Sequence, residues 1–165
     1  MVHPDEMEIV QRFASEHPVD VIALIRALDI EYEEAQMSDG DSGRITVNGD
    51  AYHIVVNELE GPQRRRFTAA HELGHYLMHR DLINEHGHLD RLFGPEGRHN
   101  PSAPLTNAHE VQANRFAANL LMPSREITKL YDKVNDNYRE LAAIFDVSPA
   151  AMKIKLYTLG LRASD

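Results

Sequence analysis

The stretch FTAAHELGHYLMHR, Phe67 to Arg80, decides how this chain is read. Ala69, Ala70, Leu73, Gly74 and Leu77 give it small or apolar positions at helical spacing, so it reads as a core helix. Its histidines, His71, His75 and His79, fall on successive turns. Residues i and i+4 share a helix face, so His71 and His75 present imidazoles close enough to bind one metal ion. Glu72 lies about 100° round the helix, which places its carboxylate beside that ion rather than on it. A hydrolytic base belongs there, within reach of a water's proton but outside the water's coordination position. The pattern is H-E-x-x-H.

The pattern alone is weak evidence. With 10 histidines in the chain, a shuffled sequence shows it about one time in twenty. Its setting carries more weight, because a histidine pair buried in a core helix without a metal or partner is costly to desolvate. Gly74 inside the helix costs about 1 kcal/mol against Ala, which makes sense where another backbone packs close. A catalytic metal needs a third protein ligand and an open position. Glu110, His79, His86, His88, His99 and His109 are the candidates. Glu110 is the best placed. It begins an apolar helix, and Asn114, one turn on, shares its face and can hydrogen-bond an outer imidazole nitrogen. His79 lies a further ~6 Å along its helix, too far to ligate the same ion. Its roles are a partner behind the ligands, a substrate contact or an ordinary structural histidine. The loop histidines read as solvated.

Working outward, Asp5–Glu16 and Val19–Asp29 read as helices, the first ended by His17-Pro18. Ser42–Gly49 and Ala51–Asn57 are β-branched runs joined at Asn48-Gly49-Asp50, a hairpin signal, and Ile30–Glu34 offers a third strand. The active helix is expected over Gln63–Arg80, and Tyr52–Val56 before it is either a sheet edge that an extended substrate joins or a core strand. Residues 82–108 read as a polar excursion without regular structure. Helices follow over Asn107–Pro123, Ser124–Asp132, Asn137–Phe145 and Ser148–Leu159. The fold class is therefore α+β, with residues 1–123 as one domain and 124–165 as a three-helix module packed on it.

Composition limits the function. The chain has 165 residues and no cysteine, so any metal is held by His, Asp or Glu, and a reducing, cytoplasmic setting is expected. The N-terminus lacks the basic and apolar regions of a secretion signal, and no apolar run approaches a membrane span. A net charge of −9 argues against general nucleic-acid binding. The one basic cluster, QRRRF from Gln63 to Phe67, reads as a solvated helix start.

RRRFTAAHELGHYLMH followed by EVQANRFAANLLMP closely resembles the ImmA/IrrE family of metallo-endopeptidases. The resemblance extends to YHIVVN and to LAAIFDVSPAAMKIKLYTLGL, covering most of residues 19–160. It implies a zincin-like (thermolysin-like) minimal fold, with a small mixed sheet, two active-site helices and a C-terminal helical, helix-turn-helix-like module. It implies His71, His75 and Glu110 as metal ligands, Glu72 as general base and Asn114 as a partner behind the ligands. The expected metal is Zn2+, with Mn2+ or another divalent ion as alternatives. The implied substrate is a helix-turn-helix, Xre-like repressor or an antitoxin, cleaved to start a stress or mobile-element response. Segment 81–108 departs from the family in its length and its His, Gly and Pro content, and is read as a lid or extra substrate surface.

Two readings compete. RELAAIFDVSPAAMKIKL resembles a DNA-reading helix-turn-helix. Its Arg139, Lys153, Lys155 and Arg162 are, however, balanced by Asp136, Glu140, Asp146 and Asp165, which favours protein docking or packing. A metal-stabilised binding protein without catalysis would need a fourth ligand, whereas Glu72 stands where a base does.

Overall fold

The Asn48-Gly49-Asp50 turn joins two antiparallel strands, with Gly49 at φ +65°, a backbone angle that favours glycine. These strands, β2 (Asp41–Asn48) and β3 (Ala51–Asn57), form the centre of a mixed sheet. The computed structural model describes residues 3–92 and 107–164, with the backbone alone for 88–92. Helices α1 (Pro4–Ala14) and α2 (Val21–Ala27) precede β1 (Ile30–Ala35), which pairs in parallel with β3. The sheet order is β1-β3-β2-β4, where β4 (His88–Leu92) runs antiparallel to β2. Helix α3 (Pro62–Met78) packs on β2 and β3, and α5 (Asn107–Leu121) packs on α3. Helices α6 (Ser124–Tyr131), α7 (Tyr138–Phe145) and α8 (Pro149–Thr158) complete an α+β arrangement.

Three expectations change. Residues 80–92 are ordered: α4 (Arg80–His86) buries Ile83 and ends at Gly87 with φ +79°, which releases the chain into β4. The rest of the expected loop, with His99, lies outside the described residues, as does the side chain of His88. Second, Tyr52–Val56 is not a sheet edge, because β3 is flanked by β1 and β2. Val56 is fully buried, and the Tyr52 hydroxyl donates to Asn84 Oδ1 at 2.6 Å. Third, the basic cluster is not simply solvated. Arg65 donates to the carbonyls of Glu58 and Glu60. Arg66 donates to Val19 O at 2.7 Å, Phe145 O at 3.0 Å and Asp146 O at 2.9 Å. That guanidinium thus fastens the segment before α2 and the end of α7 to α3, and one apolar cluster runs from Leu24 and Ile54 through Leu73 to Ile127, Phe145 and Leu156. Among the described residues, no helix is long and apolar enough to cross a membrane.

Two glycines set the distances around α3. At Gly43, beside a bulge in β2, an added Cβ would stand 2.5 Å from Thr68 Cγ2 and 3.7 Å from Glu72 Cγ. At Gly74 it would stand 3.0 Å from Phe116 Cδ1 and 3.4 Å from Ala113 Cα. The sheet and α5 therefore close on α3 at the turns that carry Glu72 and the histidines.

Helix α1 is fastened to the far end of this helix by Arg80, whose Nη2 donates to both Glu6 oxygens at 2.8 and 2.9 Å while the guanidinium lies 4.0 Å over the Tyr76 ring. Burial acts to raise the Glu6 pKa, but Arg80 and the Tyr76 hydroxyl outweigh it and hold the carboxyl below its usual value. Burial and the bond to Glu6 push the Tyr76 hydroxyl up to about 12. A carboxylate with a depressed folded pKa stabilises above its unfolded pKa of about 4.3 and loses that stabilisation as pH falls through the folded value. Glu6→Gln is expected to destabilise the fold by about 1.5–3 kcal/mol at neutral pH. The deficit should shrink on acidification below pH ~4, measured by urea unfolding across pH. A deficit that stays constant with pH would show that the pair's charge is immaterial.

Candidate metal centre

Helix α3 begins at Pro62, whose missing N–H is no loss at a helix start, and its residues Thr68 to Leu77 are all buried. Burial of this run brings His71, Glu72 and His75 inside, each fully buried. Opposite them, α5 presents Glu110 from its first turn. His71 Nε2 and His75 Nε2 lie 3.0 Å apart, and Glu110 reaches the first with Oε2 at 3.1 Å and the second with Oε1 at 3.0 Å. Among the described residues, His71, His75 and Glu110 bring metal-capable atoms within 4.8 Å of one another.

The chemistry of this donor set fits a cation. His71 Nδ1 lies 2.7 Å from Asn114 Oδ1. An amide oxygen only accepts, so His71 carries its proton on Nδ1 and turns a lone pair at Nε2 toward the centre. That lone pair meets a second ring nitrogen and a carboxylate, an arrangement that added protons or a divalent ion must neutralise. Burial acts to raise the Glu110 pKa, but protons on the facing ring nitrogens of His71 and His75, which stand where a cation would, hydrogen-bond to it and hold it well below the carboxylate range. The group is therefore ionised, as a ligand must be. Glu72, on the flank of α3 that faces Gly43, is absent from this trio.

Of the other histidines, His79 does not join the donor cluster, in line with its axial distance. Helix α3 stops at Met78, and His79 takes φ −124° and ψ 32° as the link to α4. Its backbone N–H still donates to His75 O at 2.7 Å, and its ring lies 5.0 Å from that of His75, with Nδ1 to Nδ1 at 2.8 Å. Its Nε2 lies 2.7 Å from Gln112 Oε1. Burial, with the neighbouring His75 and His109, lowers its pKa against the effects of Gln112 and Glu110. The His109 ring stacks edge-on against His79 at 4.7 Å, and His86 is exposed on α4. Gln112 is the residue that sequence reasoning missed. The available signal was its place between Glu110 and Asn114, opposite a third histidine.

The model of the IrrE N-terminal-like domain of the peptidase M78 family matches residues 25–157. The chain is 29% identical over 107 residues to the radiation response metalloprotease IrrE of Deinococcus radiodurans, covering 64% of this chain and 30% of that protein. It is 30% identical over 112 residues to the metallopeptidase ImmA of Bacillus subtilis, covering 67% of this chain and 59% of that protein. The chain thus spans only part of each relative. A solved structure titled as a Mycobacterium tuberculosis transcriptional regulator superposes with a TM-score of 0.61 at 20% identity. It covers 94% of this chain and 47% of that one, a likeness of fold.

Proposed function

Because this chain belongs to the peptidase M78 family through its IrrE N-terminal-like domain, we propose that it is a metal-dependent endopeptidase of zincin-like build. The observation that carries this reading is the meeting of two imidazole Nε2 atoms and one carboxylate beside the buried Glu72. His71, His75 and Glu110 hold the ion, Zn2+ or another divalent metal such as Mn2+. Once bound, the ion supplies Lewis-acid polarisation of a peptide carbonyl and lowers the pKa of a water. Glu72 accepts a proton from the attacking water at its carboxylate and delivers it to the amine nitrogen as the C–N bond breaks. Asn114 keeps His71 in the tautomer that offers Nε2 inward.

The substrate is a protein, and by the family's character a helix-turn-helix repressor or an antitoxin in the cytoplasm. It pairs as an extended segment with β4, which among the described residues has a strand on one side only. Strand β2 carries Gly43 next to Glu72, so the β2–β4 side of the sheet is the side that borders the base. Residues 124–165 act as a helix-turn-helix-like packing or docking module on the protease part, residues 1–123. Lys155 supports docking over DNA binding, because it is buried and donates to Asn119 Oδ1 at 3.0 Å, out of reach of a phosphate.

The test mixes the zinc-loaded protein with candidate helix-turn-helix regulators, sought first among the products of the genes adjacent to its own, and follows each by mass spectrometry. The expected result is one or a few internal cuts that cease on chelation and return with added zinc. Stoichiometric zinc binding that depends on Glu110, with the regulator bound but uncut, would replace the protease with a metal-stabilised binding protein.

A further inference from the structure

We propose that Gln112 and His79 fix the tautomer of His75, so that both are positioning residues for the metal. The inference rests on the reading of His71, His75 and Glu110 as ligands. A neutral imidazole has one N–H and one lone pair, so the partner of one ring nitrogen decides what the other can offer. His75 turns Nε2 toward His71 and Glu110 and turns Nδ1 toward His79 Nδ1 at 2.8 Å. In that contact one nitrogen must donate and the other accept.

The direction is set one step further out. His79 Nε2 lies 2.7 Å from Gln112 Oε1, and an amide oxygen only accepts. His79 therefore carries its proton on Nε2 and has a lone pair on Nδ1. His75 then donates from Nδ1, and its Nε2 lone pair is left for the metal. With the Gln112 amide turned over, the relay would reverse and leave His75 protonated at Nε2, closed to ligation. His79 is held for this task by the end of α3 and by the His109 ring, and it is only 7% exposed. His71 has the shorter form of the same device, a direct bond to Asn114 Oδ1. One helix, α5, thus supplies a ligand at Glu110 and the amide for each imidazole at Gln112 and Asn114.

The test measures zinc affinity by competition with a chromophoric chelator, together with long-range 1H–15N spectra of the imidazoles in the zinc-loaded protein. His79 is expected as the Nε2–H tautomer. Gln112→Met, which removes the acceptor at similar volume, should weaken zinc binding by about 10–100-fold. Gln112→Glu, an acceptor on every lone pair, should restore wild-type affinity or exceed it, an outcome that loss of packing alone would not give. A His79 signal protonated on Nδ1, or a Gln112→Glu protein no better than Gln112→Met, overturns the relay. If Gln112→Met does not fold, the wild-type spectrum decides alone. Wild-type protein that binds no zinc at His71 and His75 instead removes the underlying ligand assignment, a result distinct from tight binding that ignores position 112.

Discussion

With Glu72 replaced by glutamine, the chain keeps its metal and its fold while peptide cleavage falls by about 10²–10⁴-fold, the range for removal of a general base. The expectation rests on separation within one helical turn. The converging atoms belong to His71, His75 and Glu110, and Glu72 is not among them. Glutamine matches glutamate in shape, so the space between α3 and Gly43 is filled as before. What is lost is an oxygen able to take a proton. Burying a neutral amide is also less costly than burying a carboxylate, so the melting temperature should not drop. The loss should appear in kcat with KM little changed, because the proton moves only in the transition state. Zinc content by chelator competition and cleavage by mass spectrometry, on one preparation, check both halves. Cleavage within a few-fold of wild type would move the base to another residue, and loss of zinc would make Glu72 a ligand.

The parts of this site that were legible in the sequence lie within single helices. The spacing of His71 and His75, the flanking place of Glu72 and the shared face of Glu110 and Asn114 follow from helical geometry, and the structure gathers all of these but Glu72 into one hydrogen-bonded set. The hairpin was legible because Asn-Gly demands a particular turn. The failures come from interactions between distant segments. Arg66 looks like any surface arginine until Val19 and Phe145 bring their carbonyls to it. Residues 80–92 lack periodicity, and only pairing with β2 makes His88–Leu92 a strand. Its axial distance kept His79 out of the expected donor set, but the meeting of its Nδ1 with that of His75, and of its Nε2 with Gln112, was not read from the spacing.

Gly74→Val is expected to cost about 1–3 kcal/mol of stability by overpacking, and to weaken zinc binding by more than that cost alone implies. The close approach of α5 to α3 sets both effects. A Cβ at position 74 would meet Phe116 Cδ1 at 3.0 Å and the Ala113 Cα and O at 3.4 Å, mostly backbone that cannot step aside. Alanine asks its neighbours to yield a few tenths of an ångström, and its helix propensity returns about 1 kcal/mol, so Gly74→Ala should lie near wild type. Valine adds two branches and must push α5 outward. Ala113 lies between Gln112 and Asn114 and one turn from Glu110, so outward movement of α5 draws the Glu110 carboxylate and both amides away from the histidines they touch. Binding to the folded state stabilises by RT ln(1 + [L]/Kd), about 2.7 kcal/mol at a hundredfold excess over Kd. Zinc should therefore raise the melting temperature of wild type and Gly74→Ala but raise that of Gly74→Val far less. If Gly74→Val gains as much from zinc as wild type does, the metal does not depend on α5, and Glu110 is not its third ligand.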